Sequence, residues 1–175
     1  MKNLIKFTGI TFIILAFAAS AAAQVVTVST TATATANIIA PLTITKNDDM
    51  NFGNVAVQNS TAGTVILSTA SGRTSTGGAS PVFTAAGIVK AASFALTGSA
   101  GYVTVINLPV SCDVQSGANS MTVNNFVSSP AQPSFVFPVG GTATLLVGAT
   151  LNTAAGQPVG LYVSATPFTV TVSYQ

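Results

Sequence analysis

The chain has 175 residues, five Lys or Arg against three Asp or Glu, and no His or Trp. Its formal charge of +2 comes from Lys2 and Lys6, because further along Lys46, Arg73 and Lys90 balance Asp48, Asp49 and Asp113. Three scattered cations cannot form the clustered basic face that displaces phosphate counterions, which excludes nucleic acid as a partner, and without His no Ser-His-Asp triad exists.

Residues 1–23 read as a secretory signal peptide. Lys2 and Lys6 supply the positive start, Phe7 to Ala19 the apolar stretch and Ala21-Ala22-Ala23 the small-residue cleavage site. The product expected from Gln24 onward is exported to the periplasm, the cell surface or the extracellular space. Its 152 residues suit one domain, and its neutral, charge-poor surface lacks the repulsion that keeps soluble monomers apart. Residues 24–33 form an N-terminal extension or first strand, and 34–175 a single β-sandwich domain.

From Val26 to Ile38 the residues alternate. Val26, Val28 and Ala32 to Ile38 at even positions share one face, and Thr27 to Asn37 at odd positions share the other. That period predicts a half-buried strand ending before Pro41, with Leu42 to Ile44 restarting an extended run. Lys46 to Asp49 is expected as a polar turn. Its neighbours Asn47, Asp48, Asp49 and Asn51 offer oxygen ligands for a hard cation, although a solvated turn accounts for the same residues.

Met50 to Gly53 and Thr64 to Leu67 are the next predicted strands, and Ser71 to Pro81, with Gly72, Gly77, Gly78 and Pro81, is predicted as a loop. Ala85 to Ala92 holds Gly87 and is expected to be irregular before strand alternation returns at Ser93 to Thr97. Tyr102 to Leu108 is a strand on its β-branched and aromatic content, closed by Pro109. Val110 to Val114, Met121 to Val123, Gly140 to Leu151, Val159 to Val163 and Phe168 to Tyr174 complete about nine to eleven strands. The pattern is all-β, an antiparallel sandwich.

Catalysis has little to draw on. Lys46 and Lys90 are the available partners for a serine nucleophile, and both lie in loop-like sequence, so the chain reads as non-enzymatic, with no catalytic residue, metal or cofactor expected. Cys112, the only cysteine, cannot form an internal disulfide; it reads as a small buried apolar side chain or as one half of an intermolecular bridge. Asn59-Ser60-Thr61 fits a glycosylation acceptor and equally a polar loop. No apolar run of 18 residues follows Ala23, so no transmembrane helix is expected; a small outer-membrane barrel is the strand-based alternative.

The last segment carries the strongest suggestion of a partner. Phe168, Val170, Val172 and Tyr174 share one face and Thr169, Thr171 and Ser173 the other. An uncharged alternating strand at a chain end is either an ordinary closing strand or an edge that another strand completes. Val26 and Val28 have the same character at the opposite end. These six residues are the candidate assembly positions, with the chain itself or another exported subunit as the expected partner.

Several short motifs occur together: Ala36-Asn37-Ile38 with Pro41-Leu42-Thr43-Ile44, Asn51-Phe52-Gly53, Gly63-Thr64-Val65, Ala92-Ser93-Phe94 with Thr97-Gly98, Leu108-Pro109, Val147 to Leu151, Gly160-Leu161-Tyr162 and Phe168 to Gln175. In these the chain resembles an uncharacterised family of bacterial exported domains of unknown function. That family is distantly similar to spore-coat-U-like proteins and chaperone-usher pilins. The resemblance implies an immunoglobulin-like, pilin-like sandwich of the kind polymerised by donor strands. With the two alternating terminal strands and the charge-poor surface, the expectation is a structural or adhesive subunit that assembles by strand addition, with residues 24–31, which precede the matching region, as donor and a groove beside Phe168 to Tyr174 as acceptor. A self-complete monomeric module binding carbohydrate or an envelope component is the rival expectation.

Overall fold

Alternating β-branched and small residues form strands throughout, and no helix occurs among residues 26–175, which are the residues described by this computed structural model. The signal-peptide reading of residues 1–23 lies outside the described residues. Thirteen strands follow in chain order: β1 Thr43–Asp48, β2 Val55–Val57, β3 Gly63–Leu67, β4 Arg73–Gly77, β5 Ala79–Pro81, β6 Ala92–Thr97, β7 Val103–Asn107, β8 Ser111–Ser116, β9 Asn119–Ser129, β10 Ser134–Val136, β11 Thr142–Thr153, β12 Val163–Ser164 and β13 Thr171–Tyr174.

The large sheet runs β1-β6-β11-β9-β8-β12, with β3 also on β11 and β4 on β3. Its twelve-residue spine, β11, pairs Thr142 to Val147 with β6, Leu146 to Asn152 with β9 and Ala149 to Thr153 with β3, antiparallel in each case. A second sheet has the order β10-β7-β13, and β2 pairs with β5. The all-β, antiparallel, sandwich-like arrangement expected from the pattern is present. Among the described residues the sheets are open, with free edges.

Two compact units divide the chain at Asn37 and Ile38. Of the first, the described residues 26–37 carry no strand and are all exposed, Val26 by 78% and Val28 by 90%. The strand predicted from Val26 to Ile38 is therefore corrected: alternation supplies one apolar face, but no ladder within the described chain uses it. The second unit, Ile38–Gln175, holds the core, where Leu96, Leu145 and Val147 from the large sheet meet Ile106 and Phe137.

Four further expectations change. The polar turn expected at Lys46 to Asp49 is strand as far as Asp48, the end of β1. Met50 to Gly53 is not a strand; Asn51 makes an isolated bridge to Lys90, and the chain then turns through Gly53 at φ 67°, where a Cβ would collide with the carbonyl oxygen of Ala86. Ser71 to Pro81 is not a loop but carries β4 and β5, which Gly77, at φ 63°, allows to bend from β3 towards β2. Of the predicted Val159 to Val163 strand only Val163 is laddered, as the first residue of the two-residue β12.

Tyr174 ties the end of the small sheet to two distant segments. Its hydroxyl accepts from the Ser99 N–H at 2.6 Å and donates to the Ala40 carbonyl at 3.1 Å. In the core, the Thr104 hydroxyl is fully buried without a hydrogen-bond partner. Replacing it by the isosteric valine removes that unmet group, so Thr104→Val is expected to stabilise the domain by about 1 kcal/mol and raise the melting temperature by roughly 2–4 °C, read by thermal unfolding.

Candidate functional site

Five of the sheet edges are guarded in ways that discourage a neighbouring strand. The outer edge of β1 carries Lys46 and Asp48 and a register shift between them. Three-residue β10 lies between Pro133 and Pro138, and two-residue β12 between Pro158 and Pro167. Strand β4 opens on Arg73 and bends away at Gly77, and β2 is three residues long. β13 has no charge, proline or bulge within it, and no strand among the described residues pairs with its outer side.

Hydrogen-bond phase fixes which residues face that open side. The Gln175 N–H donates to the Val103 carbonyl, and Ser173 lies opposite Val105 and Thr171 opposite Asn107, so these odd positions spend their backbone groups on β7. On the other flank of β7, Ile106 donates to Pro133 and Phe137 to the Tyr102 carbonyl, which sets the same alternation. In an antiparallel ladder the intervening residues point the other way, so the N–H and C=O of Val172 and Tyr174 face the open edge. The side chains of Phe168, Val170, Val172 and Tyr174 pack half-buried against the core while Thr169, Thr171 and Ser173 are exposed.

Beside the start of this segment lies a cleft of about 1040 Å³. Its floor is the inner face of the large sheet: Phe94 of β6, Leu151 of β11, Val123 and Met121 of β9, and Cys112 and Val114 of β8. One wall is the Met50 to Val57 segment; the other is residues 157–168, ending on Phe168, whose ring lies 5.0 Å from that of Phe126. Lys46, Asp48 and Asp49 stand on the rim, and none is an unpaired charge: Lys46 meets Asp49 at 2.6 Å and Lys90 meets Asp48 at 2.5 Å.

The walls are held by polar anchors. Arg73 donates from Nη1 to the carbonyls of Phe52 (2.7 Å) and Asn54 (3.0 Å) and from Nη2 to that of Val82 (2.9 Å), while its guanidinium lies 5.5 Å from the Phe83 ring centre. A planar fork satisfies three converging carbonyls where a lysine would reach fewer. In the opposite wall, the Tyr162 hydroxyl accepts from Gln157 Nε2 at 3.0 Å and donates to the Pro158 carbonyl at 2.8 Å.

The oxygen cluster at 47–51 is engaged internally. The two Asp48 carboxylate oxygens accept from Lys90 and Ser93, and Asn51 Oδ1 accepts from the Gly53 N–H. The Lys90 hydrogen bond, followed by that of Ser93, holds the Asp48 carboxyl below its ordinary value. Cys112 is half-buried, and burial pushes its thiol up; a hydrogen bond with Ser164 pulls the other way and the nearby Asp113 charge adds to the rise. A suppressed thiolate is a poor nucleophile at neutral pH.

The structure packs Phe168, Val170, Val172 and Tyr174 against the core and places Val172 and Tyr174 on β13 at an open edge, with Phe168 and Val170 in the unpaired segment before it, whereas Val26 and Val28 lie in the other unit, exposed and unladdered. The apolar cleft was not foreseen: its lining comes from segments far apart in sequence. The scattered Met50, Cys112 and Met121, the sulfur-bearing residues beyond Met1, were the one available signal.

A match to the family described as Domain of unknown function (DUF4402) runs from residue 42 to residue 174. The chain belongs to that family. Membership covers the whole β-sandwich of the DUF4402 domain, from the residue before β1 to the end of β13, and carries no activity with it. No curated protein and no solved structure matches the chain.

Proposed function

We propose that this protein is an exported, non-catalytic structural or adhesive cell-surface subunit that assembles with other copies of itself by β-strand addition. The single observation that carries the reading is the edge of β13: it is unguarded, and its Val172 and Tyr174 backbone groups face outward. The incoming strand is residues 24–31 of another chain. Its described part, 26–31, is exposed and unladdered, and Val26 and Val28 are spaced to enter a groove on alternate positions while the intervening Thr27 and Ser29 face water.

In physical terms, addition satisfies backbone donors and acceptors that are otherwise left to water and buries valines that are otherwise exposed. Fully burying one such side chain contributes about 1.5–3 kcal/mol. The scarcity of charge leaves little electrostatic opposition to the approach of a second copy. The distant likeness to pilins and spore-coat-U-like proteins agrees with this mode of assembly and supplies the immunoglobulin-like label for the sandwich.

The test is the mass of the purified protein, residues 24–175, measured by light scattering over a concentration series without detergent. Mass that grows with concentration is the expected result. A single monomeric mass at every concentration would contradict the proposal and favour the self-complete binding module.

A further inference from the structure

Three hydrogen bonds close a clasp around the end of β13. The Tyr174 hydroxyl accepts from the Ser99 N–H at 2.6 Å and donates to the Ala40 carbonyl at 3.1 Å, and the Ala40 N–H donates to Ser99 Oγ at 2.7 Å. The clasp joins three stretches that are far apart in sequence: β13, the turn after β6 and the residues before β1. Gly98 leaves room for it, since a Cβ there would lie 2.6 Å from the Tyr174 hydroxyl and 2.9 Å from the Phe137 ring.

Both elements of strand addition meet in this clasp. Tyr174 belongs to the open edge, where its own N–H and C=O face the incoming strand. Ala40 lies two residues inside the Ile38–Gln175 unit, and the chain reaches the donor residues through it. β13 has four residues and is laddered on β7 alone, and an edge of that kind opens locally at lower cost than strands paired on both sides. When it lifts, the hydroxyl leaves Ser99, and Ala40 loses the partner of its carbonyl. We infer that the Tyr174 hydroxyl couples the acceptor edge to the root of the donor in the same chain. A strand added at β13 suppresses the opening of that edge, keeps the clasp closed and so holds Ala40; a chain that has accepted a strand then presents its own residues 24–31 from a fixed root. By linkage the effect is mutual, so a held root also steadies the edge. The hydroxyl is a positioning group, acting through Ala40 and Ser99 rather than on the added strand. The inference rests on the strand-addition reading and supplies regulation of that same site.

The experiment uses the chain lacking residues 24–31, which keeps Ala40 and the whole Ile38–Gln175 unit with its core. Amide exchange at Ala40 and Ser99 is followed for the protein alone and with an excess of a peptide of residues 24–37, with Val172 reporting that the edge is occupied. The expected result is that peptide slows exchange at Ala40 and Ser99 by about fivefold or more. The Ile66 amide in β3, a strand paired on both sides, is expected to stay unchanged.

Tyr174→Phe keeps the ring beside Tyr102 and removes the hydroxyl. In that protein exchange at Ala40 is expected to be faster at the outset, and peptide sufficient to protect Val172 no longer slows it. If Val172 becomes protected while Ala40 and Ser99 do not respond, if Ile66 responds as strongly as Ala40, or if Ala40 responds equally in Tyr174→Phe, the coupling is overturned and strand addition stands. The first comparison needs no variant, so it decides the matter even where Tyr174→Phe fails to fold. If Val172 stays unprotected with peptide, strand addition fails and the coupling fails with it.

Discussion

Deleting residues 24–31 abolishes the concentration-dependent growth in mass and leaves the domain's melting temperature unchanged within the equivalent of about 0.5 kcal/mol. The two halves of this expected result have separate causes. The described residues of the segment are exposed and belong to no ladder, so their loss removes no core contact from the Ile38–Gln175 unit. Assembly, in contrast, loses the strand that carries Val26 and Val28, and with it the apolar burial that drives docking. Light scattering paired with thermal unfolding reads both. Assembly that persists after the deletion would show that residues 24–31 are not the donor.

Val172→Pro produces the second large effect, from the acceptor's side. The Val172 N–H faces the open edge and makes no bond to β7, so proline there removes no hydrogen bond from the folded monomer, and edge strands tolerate it for that reason. An incoming strand, however, loses a donor and meets the pyrrolidine ring, leaving one of its own carbonyls unmet in the interface. Affinity for the donor is expected to fall by about ten- to hundredfold. The same change at Ser173, whose N–H is spent on β7, is expected to destabilise the monomer itself, so the pair of variants separates edge from ladder. Equal effects of the two on folding would contradict the hydrogen-bond phase assigned to β13.

Where residues alternate and a partner lies within the domain, the sequence pattern reads correctly. Val103 to Asn107 and Gly63 to Leu67 are strands as their β-branched content predicts, and Phe168 to Tyr174 does place one face against the core, although only Thr171–Tyr174 is laddered. Alternation fails as a guide where it specifies a face without specifying what covers it. Val26 to Ile38 has the most regular period in the chain and forms no strand among the described residues; Val159 to Val163 keeps only its last residue in one. The reverse error occurs at Arg73 to Gly77, mostly exposed Thr and Ser on a sheet edge, which lacks the apolar rhythm that marks a strand although its backbone pairs fully with β3.

The candidate site was half legible for the same reason. A terminal run of apolar residues at period two, without charge, announces an edge, and Phe168, Val170, Val172 and Tyr174 follow from it directly. The cleft does not: Met50, Cys112, Met121 and Leu151 meet only because β8, β9 and β11 are neighbours in one sheet and the Met50 segment crosses above them. Arg73 is similar. Its role in fixing the Phe52 and Asn54 carbonyls depends on a turn at Gly53 and a bend at Gly77 that bring together residues some twenty positions apart.

Amide hydrogen exchange, followed residue by residue, tests strand addition most directly. The chain lacking residues 24–31 is measured alone and with an excess of the 24–37 peptide. Protection of the Val172 and Tyr174 amides on adding peptide, with the Thr171 and Ser173 amides already protected in its absence, is the predicted result. Exchange at Val172 and Tyr174 that stays fast with peptide bound, or that is already slow without it, would contradict the open edge as the point of assembly.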